Sequence, residues 1–574
     1  MSAKTNYKDD GKSNKTVKKT ADKSAKPANK KASAVKNETA SQALGKTVNK
    51  TANKTLKKTV NKATNKPANK PAKKTTTEKS SVKKDILRGG RLGDERPKEV
   101  WGYLSSAEAD RYIGDSDVLV DIGHLLMTSR QKIVDRGSAK KIMEVLLDLH
   151  KNGLSESVFD AKYEDVHAGI ESYIIDRIGS ENGGRLHIGR SRNDEVATCV
   201  RLRLRGDILD ILSEIAGFRK VLMELASDNL NSLMPGFTHM QYAQPTTLAH
   251  YFMNYEQALG RDFERFGDAL LRVDRCPLGA AAFASTGYPI DREYTAELLG
   301  FPEVLENSMD CVSGRDFCIE TIAACTILMT TLSRLCEEMV VWSSTFAGFV
   351  NLHDAYCSTS SIMPQKKNPD CAEIMRGKTA SAAGALTASV ALVKGLPMSY
   401  NRDMQDLWNH LWRAVSDAKS SIKIMTGMIQ TAEFNKAKLA EESEKGFSTA
   451  TELADVMVRN YGLPFRTAHG IVGRAVRLGK LDINTLEEAA SEMAGISLKK
   501  KGLDAATVKK ALDAEFSVRE RNATGGPAPE SVQKCIERRR ADLKEDLEWT
   551  DAYRARAESA IEKMIKEAEE MIKK

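Results

Sequence analysis

A mainly α-helical fold built around long bundled helices is what this sequence predicts, and three observations predict it. Apolar residues recur three and four apart over stretches that exceed 20 residues, strand signals are few and short, and one late segment is dense in Ala, Gly and Ser. In chain order, "DVLVDIGHLLMTSRQKIV" (117–134) and "SAKKIMEVLLDLHKNG" (138–153) carry the helical spacing first. The longer "EVATCVRLRLRGDILDILSEIAGFRKVLMELASD" (195–228) and "TLAHYFMNYEQALGRDFERFGDALLRV" (247–273) follow. Pro245 precedes the second of these and Pro277 follows it, as start and stop rules require. In "TASAAGALTASVALV" (379–393) small residues let helix backbones approach closely, which suits the middle of a tight bundle. The chain closes on "DAYRARAESAIEKMIKEAEEMIKK" (551–574), a charged amphipathic helix expected at the surface. Boundaries fall near residues 85, 190 and 442. They divide the chain into a tail (1–85), an N-terminal helical domain (86–190), a central bundle domain (191–442) and a C-terminal helical domain (443–574).

Charge is divided just as sharply. Residues 1–84 hold 24 Lys, no Arg and five acidic residues, a net of +19; the whole chain is +9, so residues 85–574 carry −10. The tail's Lys, Thr, Asn, Ala and Pro bury too little surface to offset ordering entropy, so disorder is expected. A like-charged block of this kind either contacts a polyanion such as nucleic acid or simply keeps the chain in solution. It lacks the Arg-rich amphipathic pattern of a mitochondrial transit peptide. No signal-peptide core follows Met1 and no apolar run approaches about 20 residues, so neither membrane nor secretion is expected. The nine Cys are scattered without the two-residue spacing of a metal or redox motif, and read as reduced thiols of a cytoplasmic protein. The histidines lack metal-site spacing, so no metal is expected.

Five polar segments carry the candidate chemistry. In "STSSIMPQKKNPDCAEIMRGK" (358–378), Asn368 is expected as a helix N-cap and Pro369 as the first helical residue, with Asp370 and Glu373 in the first turn. Lys366, Lys367 and Asn368 then sit at the positive end of a helix, behind a loop containing Ser358, Thr359, Ser360 and Ser361. Removal of a weakly acidic proton beside a carboxylate leaves a dianion that preorganised positive groups must meet. A Ser serves as the base only where the same field stabilises its alkoxide. An ordinary Ser-rich loop ahead of a capped helix accounts for Asn-Pro but not for the lysine pair. The second segment, "GGRLHIGRSRNDEVATCVRLRLR", holds Arg190, Ser191, Arg192 and Asn193 in a Gly-flanked loop before a helix, where guanidinium forks bind carboxylates. A solvated loop with a good cap is the plainer alternative. In the third, "MPGFTHMQYAQPTTLAH", Thr238 and His239 lie on a turn between Pro235 and Pro245; a lone His is structural more often than it is an acid or base. "NSMDCVSGRDF" places Arg315 one turn into a helix, and "GLPMSYNRDMQD" offers Tyr400, Arg402, Asp403 and Gln405. Plain surface polarity would account for either.

Taken together, these segments resemble the fumarase/aspartase superfamily of lyases, and within it the argininosuccinate lyase family, over about residues 86–535. "SSIMPQKKNPD" is similar to the superfamily signature in that family's double-Lys form. "HIGRSRNDEVAT", "PGFTHMQYAQP", "PLGAAAFASTGYPIDRE" and "GGPAPESV" resemble it as well. The resemblance implies reversible cleavage of L-argininosuccinate to L-arginine and fumarate by anti elimination, the last step of arginine biosynthesis, with no cofactor. It implies Ser360 as the base, Lys366 and Asn368 as stabilisers of the carbanion, and His239 as the acid toward the leaving guanidinium. The base has been assigned both ways within the family. Glu373 would orient His239 from another subunit. Ser106, Ser191, Arg192, Asn193, Thr238, Tyr400 and Gln405 would hold the substrate, with Arg315 as a supporting carboxylate contact. The implied fold has three mostly helical domains, whose central five-helix bundle joins three others in a homotetrameric 20-helix core with active sites built from three chains. Three positions depart from the family pattern: Thr359 for Gly, Trp408 for a carboxylate-binding Lys, and Met398 for Ser. Another fumarate-releasing lyase, acting for example on adenylosuccinate, and an inactive scaffold of the same fold are the competing readings.

Overall fold

The structure is a computed structural model that describes residues 96–573. The Lys-rich tail, and the expectation of its disorder, lie outside the described residues. Five long helices form the centre: α1 (Arg192–Ser227), α2 (Leu248–Val273), α3 (Asp316–Ser343), α4 (Asp370–Val393) and α5 (Leu407–Gln430). α1 packs on α2 and α5, and α3 lies among α2, α4 and α5. Their starts follow the local chemistry. Ser191 and Asp194 form a reciprocal capping box at α1, and the Thr247 side chain accepts from the His250 amide at α2. α3 is long and apolar enough to cross a membrane by length and composition alone; half of that stretch is buried inside the bundle.

Ahead of the bundle, helices Gly114–Arg130, Arg136–Asn152 and Val166–Ile178 bury Ile122, Leu125, Ile142, Leu146, Ile170 and Ile174 in the core they share with it. Gly169 is required there. A Cβ on it would come 2.0 Å from the Val158 carbonyl oxygen, so only glycine lets the helix lie this close to the preceding turn. After the bundle a separate apolar core gathers Leu453, Met457, Ile471, Leu486, Leu498 and Val508.

The last helix, α6 (Pro529–Lys573), is not confined to that second core. It returns along α1 and the N-terminal helices, burying Ile536, Leu543, Thr550, Ala557 and Met564. Charge fastens it. Fully buried Glu256 on α2 accepts from Arg219 Nε of α1 at 3.0 Å and from Arg539 Nε of α6 at 2.8 Å, while Arg219 also meets Asp546 at 2.5 Å. The α4 surface is different in kind. Ile374 is 63% and Val390 47% exposed, and a Cβ added at Gly377 or Gly384 would meet nothing within 4 Å.

Strands are few and short. β1 (Leu233–Thr238) and β2 (Gln241–Thr247) form an antiparallel hairpin. β3 (Val350–Asn351) pairs with β6 (Glu433–Phe434), and β4 (Ser358–Thr359) with β5 (Lys367–Asn368).

Breaking a buried ion pair by removing one partner strands the other charge. Glu256→Ala leaves two guanidinium groups without their shared carboxylate, so a loss of about 3–5 kcal/mol is expected. A thermal or urea melt beside the wild type checks it.

Candidate active site

The segment ahead of α1, the start of α1 and the entry to α5 enclose a cavity of about 100 Å3. Its walls are Ser106, Asp110, Asp165, His167, Arg192, Asn193, Val196, Tyr400, Arg402, Gln405 and Trp408. Five expected substrate-binding residues therefore converge: Ser106, Arg192, Asn193, Tyr400 and Gln405. Ser106 donates its hydroxyl to Asp110 at 2.7 Å and its amide to the Glu164 carbonyl at 2.8 Å. Gln405 Nε2 and Arg402 Nη2 both donate to the Leu104 carbonyl, at 3.0 and 2.8 Å, tying the α5 entry to the segment ahead of α1.

Arg192 and Asn193 are aimed by the first turn of α1, which Asp194 secures. One oxygen of its fully buried carboxylate accepts from the Ser191 amide at 2.9 Å. The other accepts from the Gly279 and Ala281 amides at 2.9 and 2.8 Å. Ser191 is thus occupied as a cap and does not line the cavity. Arg192 meets Asp165 at 2.5 Å, and Asn193 donates to the Ala282 carbonyl at 3.1 Å.

Charge is concentrated behind these walls. Glu164 contacts Arg96, Arg402 (3.1 Å) and Arg192 (3.9 Å); burial opposes its charge, but the three guanidinium groups hold its carboxyl below the usual range. His167 Nδ1 lies 2.8 Å from Asp117, and Arg190 joins Asp121 to Glu195, the latter at 3.1 Å. Burial pushes Asp121 up to about 7 and Glu195 well above its ordinary value, against the pull of Arg190. Asp117 falls below its ordinary value despite burial, because His167 and Arg190 face it. Asp117, Asp121 and Glu195 stand close enough to share one ion, but Arg190 and His167 already supply positive charge there, and no metal role is assigned to them.

The remaining expected residues lie elsewhere. Ser360 stands in the loop between β4 and β5, where its Oγ accepts from the Ile362 and Met363 amides at 3.3 and 3.0 Å. Lys366 Nζ donates to Asn368 Oδ1, and Lys367 meets Asp354 at 2.7 Å. Here the capping expectation needs correction: α4 begins at Asp370, Pro369 takes the cap position, and Asn368 is an extended β5 residue paired with Ser358 whose side chain serves Lys366. Glu373 lies in the first turn of α4, 3.9 Å from Arg376. Thr238 pairs with Gln241, so His239 and Met240 form a two-residue turn, both at positive φ (+56° and +59°). That turn is costly for side chains other than Gly, Asn or Asp, and it displays His239 at the hairpin tip. Arg315 is not inside a helix but at the start of α3. It is fully buried, and its guanidinium lies 5.4 Å from the ring of Trp408, one layer behind the cavity wall.

Asp110, Asp165 and His167 were not anticipated. "EDVHAGIE" reads as an ordinary helix start, with Asp165 capping the Ala168 amide, and only tertiary packing brings it to the cavity.

Comparison with known proteins decides the family. A family model described as Lyase matches residues 110–384, and one described as Argininosuccinate lyase C-terminal matches residues 447–519. The chain is 54% identical to the argininosuccinate lyase of Methanoculleus marisnigri over 487 residues, 85% of this chain and 99% of that one. The chain belongs to the argininosuccinate lyase family. Its likeness to the argininosuccinate lyase of Methanosphaerula palustris is also 54%, over 84% of this chain and 98% of the relative. Among solved structures, EDDS lyase in complex with formate superposes with a TM-score of 0.75 at 28% identity, covering 84% of this chain and 97% of that one. Class II fumarase from Schistosoma mansoni shares the fold, with a TM-score of 0.59 at 16% identity over 70% of this chain and 90% of that one. The second core, around Leu453 to Val508, falls within the argininosuccinate lyase C-terminal match.

Burial raises the Asp110 carboxyl to about 6. The folded chain therefore holds this proton more tightly than the unfolded chain, and stability is lost as pH rises from about 4 through 6. Asp110→Asn keeps an acceptor for Ser106 and the Val166 amide without the charge. Its melting temperature is expected to exceed that of the wild type by a few degrees at pH 7.5, the gap closing toward pH 4; melts across that range check it.

Proposed function

We propose that this lyase cleaves L-argininosuccinate reversibly to L-arginine and fumarate, with Ser360 as the base. The observation that carries the reading is 54% identity to a named argininosuccinate lyase across 99% of that relative's length. The loop chemistry supports the assignment of the base. Two amides already point at Ser360 Oγ, and the same donors favour an alkoxide there over a neutral hydroxyl. Once the proton beside the carboxylate is removed, Lys366, oriented by Asn368, meets the charge that accumulates on the carboxylate. His239, at a hairpin tip, protonates the leaving nitrogen, and Glu373 orients it from a neighbouring chain. The cavity binds the substrate through Ser106, Arg192, Asn193, Tyr400 and Gln405, with Arg315 lending charge from behind Trp408; Thr238 and Ser191, which do not line it in this chain, complete the proposed binding set.

We propose a homotetramer, a reading that the distribution of these parts supports. The cavity walls include neither Ser360 nor His239, which supports sites completed by segments from neighbouring copies. The exposed surface of α4, with Ile374, Val390 and its open glycines, is where copies would pack. Attachment of the Lys-rich tail to a polyanion remains an added proposal, tested by salt-sensitive DNA binding of the full chain against a chain lacking residues 1–84.

Two outcomes are expected. Purified protein mixed with argininosuccinate releases fumarate, seen by its ultraviolet absorbance, and Ser360→Ala reduces kcat by at least about 100-fold. Absence of fumarate from the wild type, with turnover of adenylosuccinate instead, would replace the substrate. If sites are shared between chains, mixing inactive Ser360→Ala and His239→Asn subunits, dissociated and reassembled together, restores part of the activity that neither shows alone.

A further inference from the structure

His167 lines the cavity, faces an acid and keeps an uncommitted ring nitrogen. Arg192 and Arg402 also face the cavity, but Asp165 holds the first and Glu164 the second. His167 Nδ1 lies 2.8 Å from Asp117 and 3.9 Å from Glu195, while its Nε2 is buried and has no hydrogen-bond partner among the described residues. The charged and titratable groups around it come from several elements. Asp117 and Asp121 lie on helix Gly114–Arg130, Glu195 and Cys199 on α1, and His187, Arg190 and Arg192 in or just after the loop before α1; Asp165 caps its own helix and Asp110 faces the same cavity. Burial works against an imidazolium here, but Asp117 and Glu195 prevail and raise its pKa well above the ordinary value. An imidazole that its acidic neighbours hold in the charged form is a poor proton shuttle and a good anion anchor. The cavity, about 100 Å3, is smaller than the roughly 300–1,000 Å3 that a whole ligand occupies, so it takes one end of a substrate.

Resting on the proposed activity, we infer that His167 anchors a substrate carboxylate through Nε2–H as an imidazolium, with Asp117 as the positioning residue that keeps the ring charged. No proton is transferred in this role. The anchor distinguishes anionic from neutral substrate ends before the chemical step begins.

The test measures kcat and KM for argininosuccinate between pH 5.5 and 9, using the full chain, H167Q and D117N. In the wild type, KM stays level through pH 8. H167Q is expected to raise KM about 10- to 100-fold at every pH, with kcat changed only a few-fold, because a charge-assisted hydrogen bond is lost. D117N is expected to match the wild type near pH 5.5 and to lose affinity about tenfold by pH 8, because its imidazole gives up the proton at lower pH. An unchanged KM in H167Q, a fall in kcat alone, or a D117N profile that follows the wild type would each overturn the inference. Should D117N fail to fold, 13C-histidine spectra of the wild type decide, with the His167 signal assigned by its loss in H167Q: a protonated ring at pH 8 supports the anchor and a neutral one defeats it. A wild type that releases no fumarate at any pH defeats the activity instead, while the spectra still report the ring's charge.

Discussion

Asp194 carries three backbone amides on a carboxylate removed from solvent, and the first turn of α1 depends on them. Successive residues of a helix point about 100° apart, so fixing this turn fixes several directions at once. Arg192, Asn193 and Val196 fall on the face toward the cavity. Glu195 and Cys199 fall on another, where Glu195 meets Arg190 and the Cys199 thiol donates to Asp117 at 3.3 Å. The same carboxylate also holds the Gly279–Ala281 turn, where glycine is needed. Gly279 sits at φ +91°, and a Cβ there would come 2.7 Å from Arg292. A loop far along the chain and the start of the longest bundle helix are thus one rigid unit, with side chains presented on both sides of it.

The pattern of charge follows from that rigidity. Around the cavity, cations are paired with acids whose own burial is expensive: Arg192 with Asp165, Arg402 with Glu164, Arg190 with Asp121 and Glu195. Such pairs contribute little net stability, but they set positive charge in place before a ligand arrives, so the site does not have to reorganise to receive an anion. The Ser360 loop is built on a different principle. Its contacts are short-range, a two-residue ladder and the Lys366–Asn368 pair, and Ile362 beside it is 83% exposed. The proposed binding residues stand on a rigid scaffold, and the proposed base on an exposed surface loop.

Much of this organisation was legible in the residues. The long helices declared themselves because an apolar stripe of that length has few other uses, and Pro235 and Pro245 marked the stretch that became the His239 hairpin. What escaped was settled by contacts that lie outside any single helix. Asn368 had every local qualification for a helix cap, yet pairing with Ser358 keeps it extended and Lys366 claims its side chain. His167 looked like one more helical residue, because the acid that defines it, Asp117, lies 50 positions earlier on another helix. Arg315, expected inside a helix, stands at the start of one and is buried against Trp408. Spacing rules describe neighbours along one helix, and none of these partners shares a helix with the residue it holds.

The buried positions of α6 have a geometric corollary. Ile536, Leu543, Thr550, Ala557 and Met564 are separated by seven residues each. Two turns of an undistorted α-helix need slightly more than seven, so a strictly heptad seam slips about 20° per repeat unless the helix coils left-handedly around what it grips. This seam therefore counts residues. Inserting or deleting a single amino acid midway would swing every later contact by about 100° toward water, so natural variants of this arm should differ in length by whole heptads, or at its free end.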